Sequence, residues 1–335
     1  MRAKGIVAVL ALVVAQAIGI AGAIAQDAKK PTIRFGIQPG LTTGSLVKHF
    51  HWLEDDGYKV EWISFNDAGS EMRALAAGAL DLMLSGAAPQ MVLSTRFPGS
   101  RFIAATIANG NQLILPVKSP IRTLADLRGK RIAYPGPGSQ QYALIATALS
   151  GVGMAPKEVN LYRSNGPDMP ALLAKGEVDG FMAWTPFTSE SVRAGVGRVF
   201  LNAQDVFQKA GGKGMWISEG YVTTEKFATE HPDALVACLK AIARSVQLLR
   251  TDQAKASAAL SAATGMPAEA ISYAIDHKFA VFPPTIAPDA DTVRSMVEIF
   301  SKAELIKDVD IPSFVRTFVS PDFARRAEAQ LKSGK

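Results

Sequence analysis

The sequence predicts an α/β protein of two like lobes, and three observations predict it. First, the chain repeats itself once. Gly36-Ile37-Gln38-Pro39-Gly40 returns as Ile132-Ala133-Tyr134-Pro135-Gly136, and Leu75 to Asp81 returns as Leu173 to Asp179. Gly86-Ala87-Ala88-Pro89 returns as Trp184-Thr185-Pro186, and the offset stays between 96 and 98 residues throughout. A solenoid needs more copies than two, so the repeat indicates two lobes of one topology. Second, each copy reads strand-helix-strand-helix-strand, the order of a parallel sheet with right-handed crossovers. Third, the chain beyond the second copy carries helical spacing. Two such lobes leave a crevice at their strand ends, and crevices bind ligands.

The elements follow in order. Ile33 to Ile37 alternates and reads as a strand, which Pro39-Gly40 ends. Thr42 or Thr43 caps a helix through about Leu46 to Asp55, with Gly57 after it. Lys59 to Ile63 is a second strand. Asn66-Asp67 and Ser70-Glu71 open a helix with the apolar face Met72, Leu75 and Ala76, and Gly78 stops it. Leu80 to Leu84 is a third strand ending at Ser85-Gly86. In the second copy, strands at Lys130 to Tyr134, Asn160 to Tyr162 and Val178 to Ala183 alternate with helices from Ser139 and around Met169 to Lys175. Ile114 to Lys118 reads as a strand crossing between lobes, and Met215 to Ser218 should cross back. Pro232 to Arg250 is a helix, because Leu235, Val236, Leu239, Ile242, Val246 and Leu249 recur at helical spacing. Further helices are expected at about Pro267 to Asp276, Asp289 to Ala303 and Pro312 to Phe318, with Leu331 to Lys335 fraying.

Residues 1–25 read as a cleavable export leader. Arg2 and Lys4 precede an apolar run from Ile6 to Ile20, and Ala23-Ile24-Ala25 supplies the small-residue cleavage site, so the mature chain should begin near Gln26. The run is short for a membrane span. No cysteine follows to carry a lipid. Cys238 is alone and sits in an apolar helical pattern, so the exported protein must stand on its core without disulfides. These signals place it in a bacterial periplasm. The formal charge of +6 falls to +4 without Arg2 and Lys4, and no basic run with interleaved aromatics points to nucleic acid.

Catalytic patterns are absent. His49, His51, His231 and His277 form no H-E-x-x-H, and there is no cysteine pair for zinc. No G-x-S-x-G or phosphate-binding G-x-x-x-x-G-K-[ST] occurs. Gly136-Pro137-Gly138-Ser139-Gln140 lacks the third glycine of a dinucleotide loop. Ser45-Leu46-Val47-Lys48 and Lys332-Ser333-Gly334 match fragments of penicillin-recognising enzymes without the middle element. Asp81 and Asp179 occupy matching places in both copies, which suits a structural role at a strand start. No cofactor or metal is expected.

The segments Ala74 to Asp81, Ser85 to Pro89, Ser119-Pro120-Ile121, Leu124 to Arg131, Gly138-Ser139 and Trp184-Thr185-Pro186 together resemble one family. It is that of the periplasmic solute-binding proteins of nitrate, sulfonate and taurine transporters. The resemblance covers roughly 31–250. It implies a type II periplasmic binding protein fold, with 31–113 and 220–335 in one lobe, 114–219 in the other, and two crossover segments as hinge. It implies a monomer that does no chemistry, captures a small anion and serves an inner-membrane ABC permease. It also implies a pocket at four loops: Gln38, Gly40 and Leu41; Ser85, Gly86 and Ala87; Gly138, Ser139 and Gln140; and Trp184 with Thr185. Trp216 and Glu219, near the return crossover, are further candidates.

At Ser139 a helix start suits an oxyanion, and the same serine also fits a plain cap. Trp184 can cover an apolar ligand body or fill a core. The family is often polar where Ala87 stands, and Arg163 is the nearest candidate cation, expected at the surface. A neutral or carboxylated aromatic ligand stays open beside sulfonate, taurine and nitrate. Two rival readings are an enzyme related to thiamine pyrimidine precursor synthesis and a regulator's effector domain. The first lacks its cysteine-rich segment here, and the second lacks its DNA-binding helices.

Overall fold

The computed structural model describes residues 30–38 and 40–334; the predicted leader at 1–25 and Pro39 lie outside the described residues. Two five-stranded sheets carry the fold. The first has the order β2-β1-β3-β10-β4, formed by β1 (Thr32–Ile37), β2 (Lys59–Ser64), β3 (Leu82–Gly86), β4 (Ser100–Ala108) and β10 (Ile217–Thr224). The second has the order β7-β6-β8-β5-β9. Its strands are β5 (Asn111–Pro116), β6 (Arg131–Tyr134), β7 (Asn160–Arg163), β8 (Gly180–Trp184) and β9 (Gly197–Asn202). The orders match strand for strand, as the internal repeat predicts. In each sheet the first three strands are parallel, and the fourth, β10 or β5, is antiparallel to both neighbours.

The same local chemistry builds both halves. Thr42 accepts from the Ser45 amide to cap α1 (Thr43–His49), which is followed by the short α2 (Trp52–Asp55). Asp67 caps α3 (Ala68–Ala76) through the Ser70 amide at 2.8 Å, and α4 (Ala87–Ser94) follows β3. In the second half Ser139 caps α5 (Gln140–Ser150) through the Tyr142 amide at 3.1 Å, and α6 (Met169–Ala174) follows β7. Gly78 and Gly176 end α3 and α6 in the left-handed region, with φ of 71° and 72°, which costs glycine nothing. The two aspartates of the repeat behave alike. Asp81 takes the Arg34 amide at 2.8 Å and its guanidinium, which also donates to Gly78 O. Asp179 takes the Arg131 amide at 2.8 Å, and that guanidinium donates to Gly176 O. Each pair ties a strand start to the preceding helix end.

The crossing between sheets differs from expectation. The segment expected to cross lies inside the second sheet as β5, between β8 and β9. The link is the turn Asn109-Gly110, with φ of 65° and 34°; asparagine tolerates that region better than other non-glycine residues. The return path ends at Trp216, whose carbonyl accepts from the Asn109 amide at 3.2 Å, so the two crossovers lie side by side. Between them come α7 (Phe187–Arg193) and α8 (Ala203–Lys209).

After β10 and α9 (Glu225–Glu230) comes α10 (Pro232–Thr251), which buries Leu235, Leu239, Ile242, Val246 and Leu249 as its spacing predicts. Cys238 lies in the same buried face, and burial pushes its thiol up. Helices α11 (Gln253–Thr264), α12 (Ala268–Asp276), α13 (Ala290–Lys302), α14 (Ile311–Phe318) and α15 (Asp322–Lys332) complete the fold. Leu331 was expected to fray; instead it lies in α15 and packs on the core under the first sheet. Among the described residues no helix is long and apolar enough to cross a membrane.

Candidate functional site

The C-terminal ends of β1 and β3 in one sheet and of β6 and β8 in the other run into the four loops expected to bind ligand. Contacts between halves are made here by bulky side chains meeting glycines. Trp184, at the end of β8, reaches Gly40: a Cβ at Gly40 would lie 3.2 Å from the indole Nε1. The indole is half-buried and meets Phe187 edge-on at 5.4 Å. It also lies against Gly166, where a Cβ would come within 2.7 Å of the ring. Gln140, the first residue of α5, reaches the other half in the same way. Its carbonyl accepts from the Ala88 amide at 2.7 Å, near the start of α4. Its amide donates to Ile217 O and Ser218 O at 3.1 and 3.2 Å. A Cβ at Gly86 would lie 2.9 Å from its oxygen, so this clasp needs glycine there.

The first sheet adds a polar cluster. The Gln38 Nε2 donates to Glu71 Oε2 at 2.8 Å and to Ser85 Oγ at 3.0 Å. Glu71 comes from α3, is wholly buried, and also accepts from the Leu84 amide at 3.0 Å. Burial raises its pKa from 4.5 to about 8, against the opposing pull of those hydrogen bonds. A Cβ at Gly36 would sit 2.5 Å from its Oε1, so glycine on β1 makes room for the carboxylate. Glu219 forms a second buried group. It accepts from Thr43 Oγ1 and Thr106 Oγ1, both at 2.6 Å, and from the Thr43 amide at 3.3 Å. Thr43 Oγ1 also pairs with the Tyr221 hydroxyl at 2.7 Å. Burial lifts Glu219 to about 7 and pushes Tyr221 up.

The other expected residues divide. Leu41 is buried at the foot of the first loop, and Ala87 is fully buried as the first residue of α4. Gly138 is exposed with φ of 81°. Ser139 spends its acceptor on the Tyr142 amide, so it caps α5. Thr185 donates its amide to Gly110 O at 3.2 Å, while its buried hydroxyl has no hydrogen-bond partner among the described residues. Trp216 lies elsewhere: no part of it is exposed, and it packs edge-on against Phe207 and Phe300 in the core. Its sequence position beside the crossover did not reveal that. Arg163 is exposed beside Gly136. Sequence reasoning took Glu71 only for a residue that opens a helix. The available signal was its place on the apolar face beside Met72 and Leu75. Among the described residues no group of His, Cys, Asp and Glu could hold a metal.

The sequence model of the NMT1-like family matches residues 26–263. A putative aliphatic sulfonates-binding protein of Escherichia coli (strain K12) is 24% identical over 299 residues, covering 86% of this chain and 90% of that protein. The taurine-binding periplasmic protein of the same strain is 31% identical over 193 residues, 56% of this chain and 57% of its own length. The crystal structure of the periplasmic nitrate-binding protein NrtA from Synechocystis PCC 6803 superposes with a TM-score of 0.72 at 17% identity, over 91% of this chain and 90% of that one. The desulfurization enzyme DSZB shares the architecture too, with a TM-score of 0.62 at 14% identity over 90% of this chain and 99% of its own. The architecture is therefore the two-lobed periplasmic binding protein fold, and fold alone does not separate binding from catalysis.

Proposed function

The chain belongs to the NMT1-like family, and from that premise we propose that it is the periplasmic binding component of an ABC importer. Its ligand is a small anion of the sulfonate, taurine or nitrate class. The observation that carries this reading is the meeting of the two repeated sheets at their strand ends, where Trp184 of one faces Gly40 of the other. The ligand lies there, held between the lobe built on the first sheet and the lobe built on the second, which hinge at Asn109-Gly110 and Trp216; the boundaries expected at 113/114 and 219/220 move to these links because β5 begins at Asn111 and β10 at Ile217. Ser85, Ser139 and Thr185 supply hydroxyl donors, and Trp184 covers the ligand's apolar body. Closure is selected because the ligand binds the closed form better. The chain is exported by its leader, works as a monomer, performs no chemistry and hands its ligand to an inner-membrane permease.

A thermal-shift screen tests this, because a ligand bound only by the folded form raises the melting point. Ethanesulfonate, taurine or nitrate should raise it, and calorimetry should confirm one-to-one binding. Stabilisation by benzoate alone would move the ligand to the aromatic carboxylates. Visible absorbance from a bound pyridoxal, or turnover of a substrate, would overturn the binding role.

A further inference from the structure

The internal repeat supplies a control for deciding which buried polar groups serve the fold. The Arg34–Asp81 pair has its counterpart in Arg131–Asp179, so that pair belongs to the shared architecture. The Glu71 cluster has none. At the offsets of 97 and 98 that the arginines and aspartates set, the second half carries Pro135 for Gln38, Met169 for Glu71 and Ala183 for Ser85. Met169 and Ala183 are both fully buried in the apolar core of that half. The lobe therefore folds around an apolar side chain where Glu71 stands. A buried carboxylate is costly to keep without a paired charge, and the hydrogen bonds Glu71 receives come from an amide side chain and a backbone amide.

The polarity of the cluster is informative. Ionised Glu71 only accepts, so it turns the Gln38 nitrogen inward, and that nitrogen also donates to Ser85 Oγ. The Ser85 hydroxyl then accepts from Gln38 and has its own proton left to give. It stands at the end of β3, in a loop of the proposed ligand site. Resting on the reading of that site as one for anions, we propose that Glu71 is a positioning residue which takes up a proton when an anion docks against the Gln38–Ser85 pair. An anion there lies about two hydrogen-bond lengths from the carboxylate, and like charges at that range favour the protonated form. The pKa of about 8 in the free protein leaves the group able to respond near neutral pH.

The other charged groups around Glu71 do not supply this response. β3 and α4 carry no ionisable residue, and Arg34 on β1 is committed to Asp81. On α3 itself, Asp67 is the helix cap and Arg73 lies in the last turn. On β10, Tyr221 is held far above neutral by burial, which leaves Glu219 as the control.

Calorimetry with ethanesulfonate tests the idea, since this probe keeps one charge over the whole range. Titrations at pH 8 in phosphate and in Tris, whose ionisation heats differ, should show uptake of about half a proton per ligand. Affinity should fall about fivefold or more from pH 7 to pH 9. Glu71→Gln should abolish both effects, Glu71→Met should do the same if the first variant folds poorly, and Glu219→Gln should retain the uptake at pH 8. Binding without proton uptake in the unmutated protein, or uptake unchanged in Glu71→Gln, would overturn the role of Glu71 and leave the anion site standing. Failure of both ethanesulfonate and nitrate to bind would overturn the anion reading, and the proposal with it.

Discussion

The two halves share a sheet order, two helix caps, two glycine stops and an arginine–aspartate tie, yet they bring different things to the crevice. The second half contributes bulk, in Trp184 and Gln140. The first half answers each with a glycine, Gly40 and Gly86, and adds the carboxylates of Glu71 and Glu219. What both halves possess is explained by the shared topology. What one half alone possesses needs another reason, and at the strand ends where we propose that ligand binds, that reason is ligand.

The largest test of this division is the pH dependence of stability. Glu71 and Glu219 have folded-state pKa values of about 8 and about 7 against an ordinary 4.5. Between those values the folded protein holds protons that the unfolded chain has released. Stability contributed by these groups is therefore present at acid pH and lost as pH rises from about 4.5 towards 8, a loss on the order of a few kcal/mol. Thermal unfolding at pH 5 and pH 8 should show it, and Glu71→Met should flatten the curve, since the other half tolerates Met169 at that place. A double variant with Glu219→Gln that keeps the full slope would place the loss outside the first half's cluster.

Next comes Gly36→Ala. The added Cβ meets Glu71 Oε1 at 2.5 Å and Leu82 O at 3.2 Å, which should cost about 2–3 kcal/mol by forcing apart a packed core. In the second half Ala133 occupies the equivalent place, two residues after Arg131 as Gly36 is two after Arg34, and its Cβ is buried without difficulty. The contrast sharpens if Gly36→Ala is milder in a Glu71→Ala background, measured by urea unfolding. An equal loss in both backgrounds would assign the clash to Leu80 and Leu82 instead. Trp184→Ala follows: ligand affinity should drop tenfold or more, about 1.4 kcal/mol, with the fold intact. Calorimetry showing unchanged affinity would reduce Trp184 to a packing residue against Phe187 and Gly166.

Much of the architecture was legible because the repeat and the helix punctuation are local signals. Asp67, Ser139, Gly78 and Gly176 do at the helix ends what their chemistry suggests. Elements without a local signature were missed. β4 is an almost continuous buried run, Ser100 to Ala108, and shows little alternation. The expected loop at Ser85, Gly86 and Ala87 runs directly into α4, whose Pro89 falls in the first turn of the helix, where its missing N–H is not needed. The crossover read as a strand because β5 is apolar, while the true link is two residues in left-handed conformation. At the site, the loops were legible from strand ends. The Gln140 clasp, the burial of Trp216 and the Glu71 cluster were not, since each depends on residues brought together over long sequence distances.

Ser139 is the finest test, because it stands on both sides of the division. Its first-half counterpart at the same offset is Thr42, and both are helix caps: Thr42 accepts from the Ser45 amide at 3.3 Å, Ser139 from the Tyr142 amide at 3.1 Å. As caps each should be worth about 1 kcal/mol, so Thr42→Ala and Ser139→Ala should lower stability alike. They differ in their remaining polarity. Thr42 Oγ1 lies 2.9 Å from Ser45 Oγ, so that hydroxyl pair can satisfy itself. The Ser139 hydroxyl has a proton left to donate, at the start of a helix whose dipole favours negative charge. Ser139→Ala should therefore also weaken ethanesulfonate binding by several-fold, about 1 kcal/mol, whereas Thr42→Ala should not. If calorimetry gives both variants the same affinity for ethanesulfonate, the serine belongs with the features the halves hold in common, and the anion must be held by Ser85 and Thr185 without it.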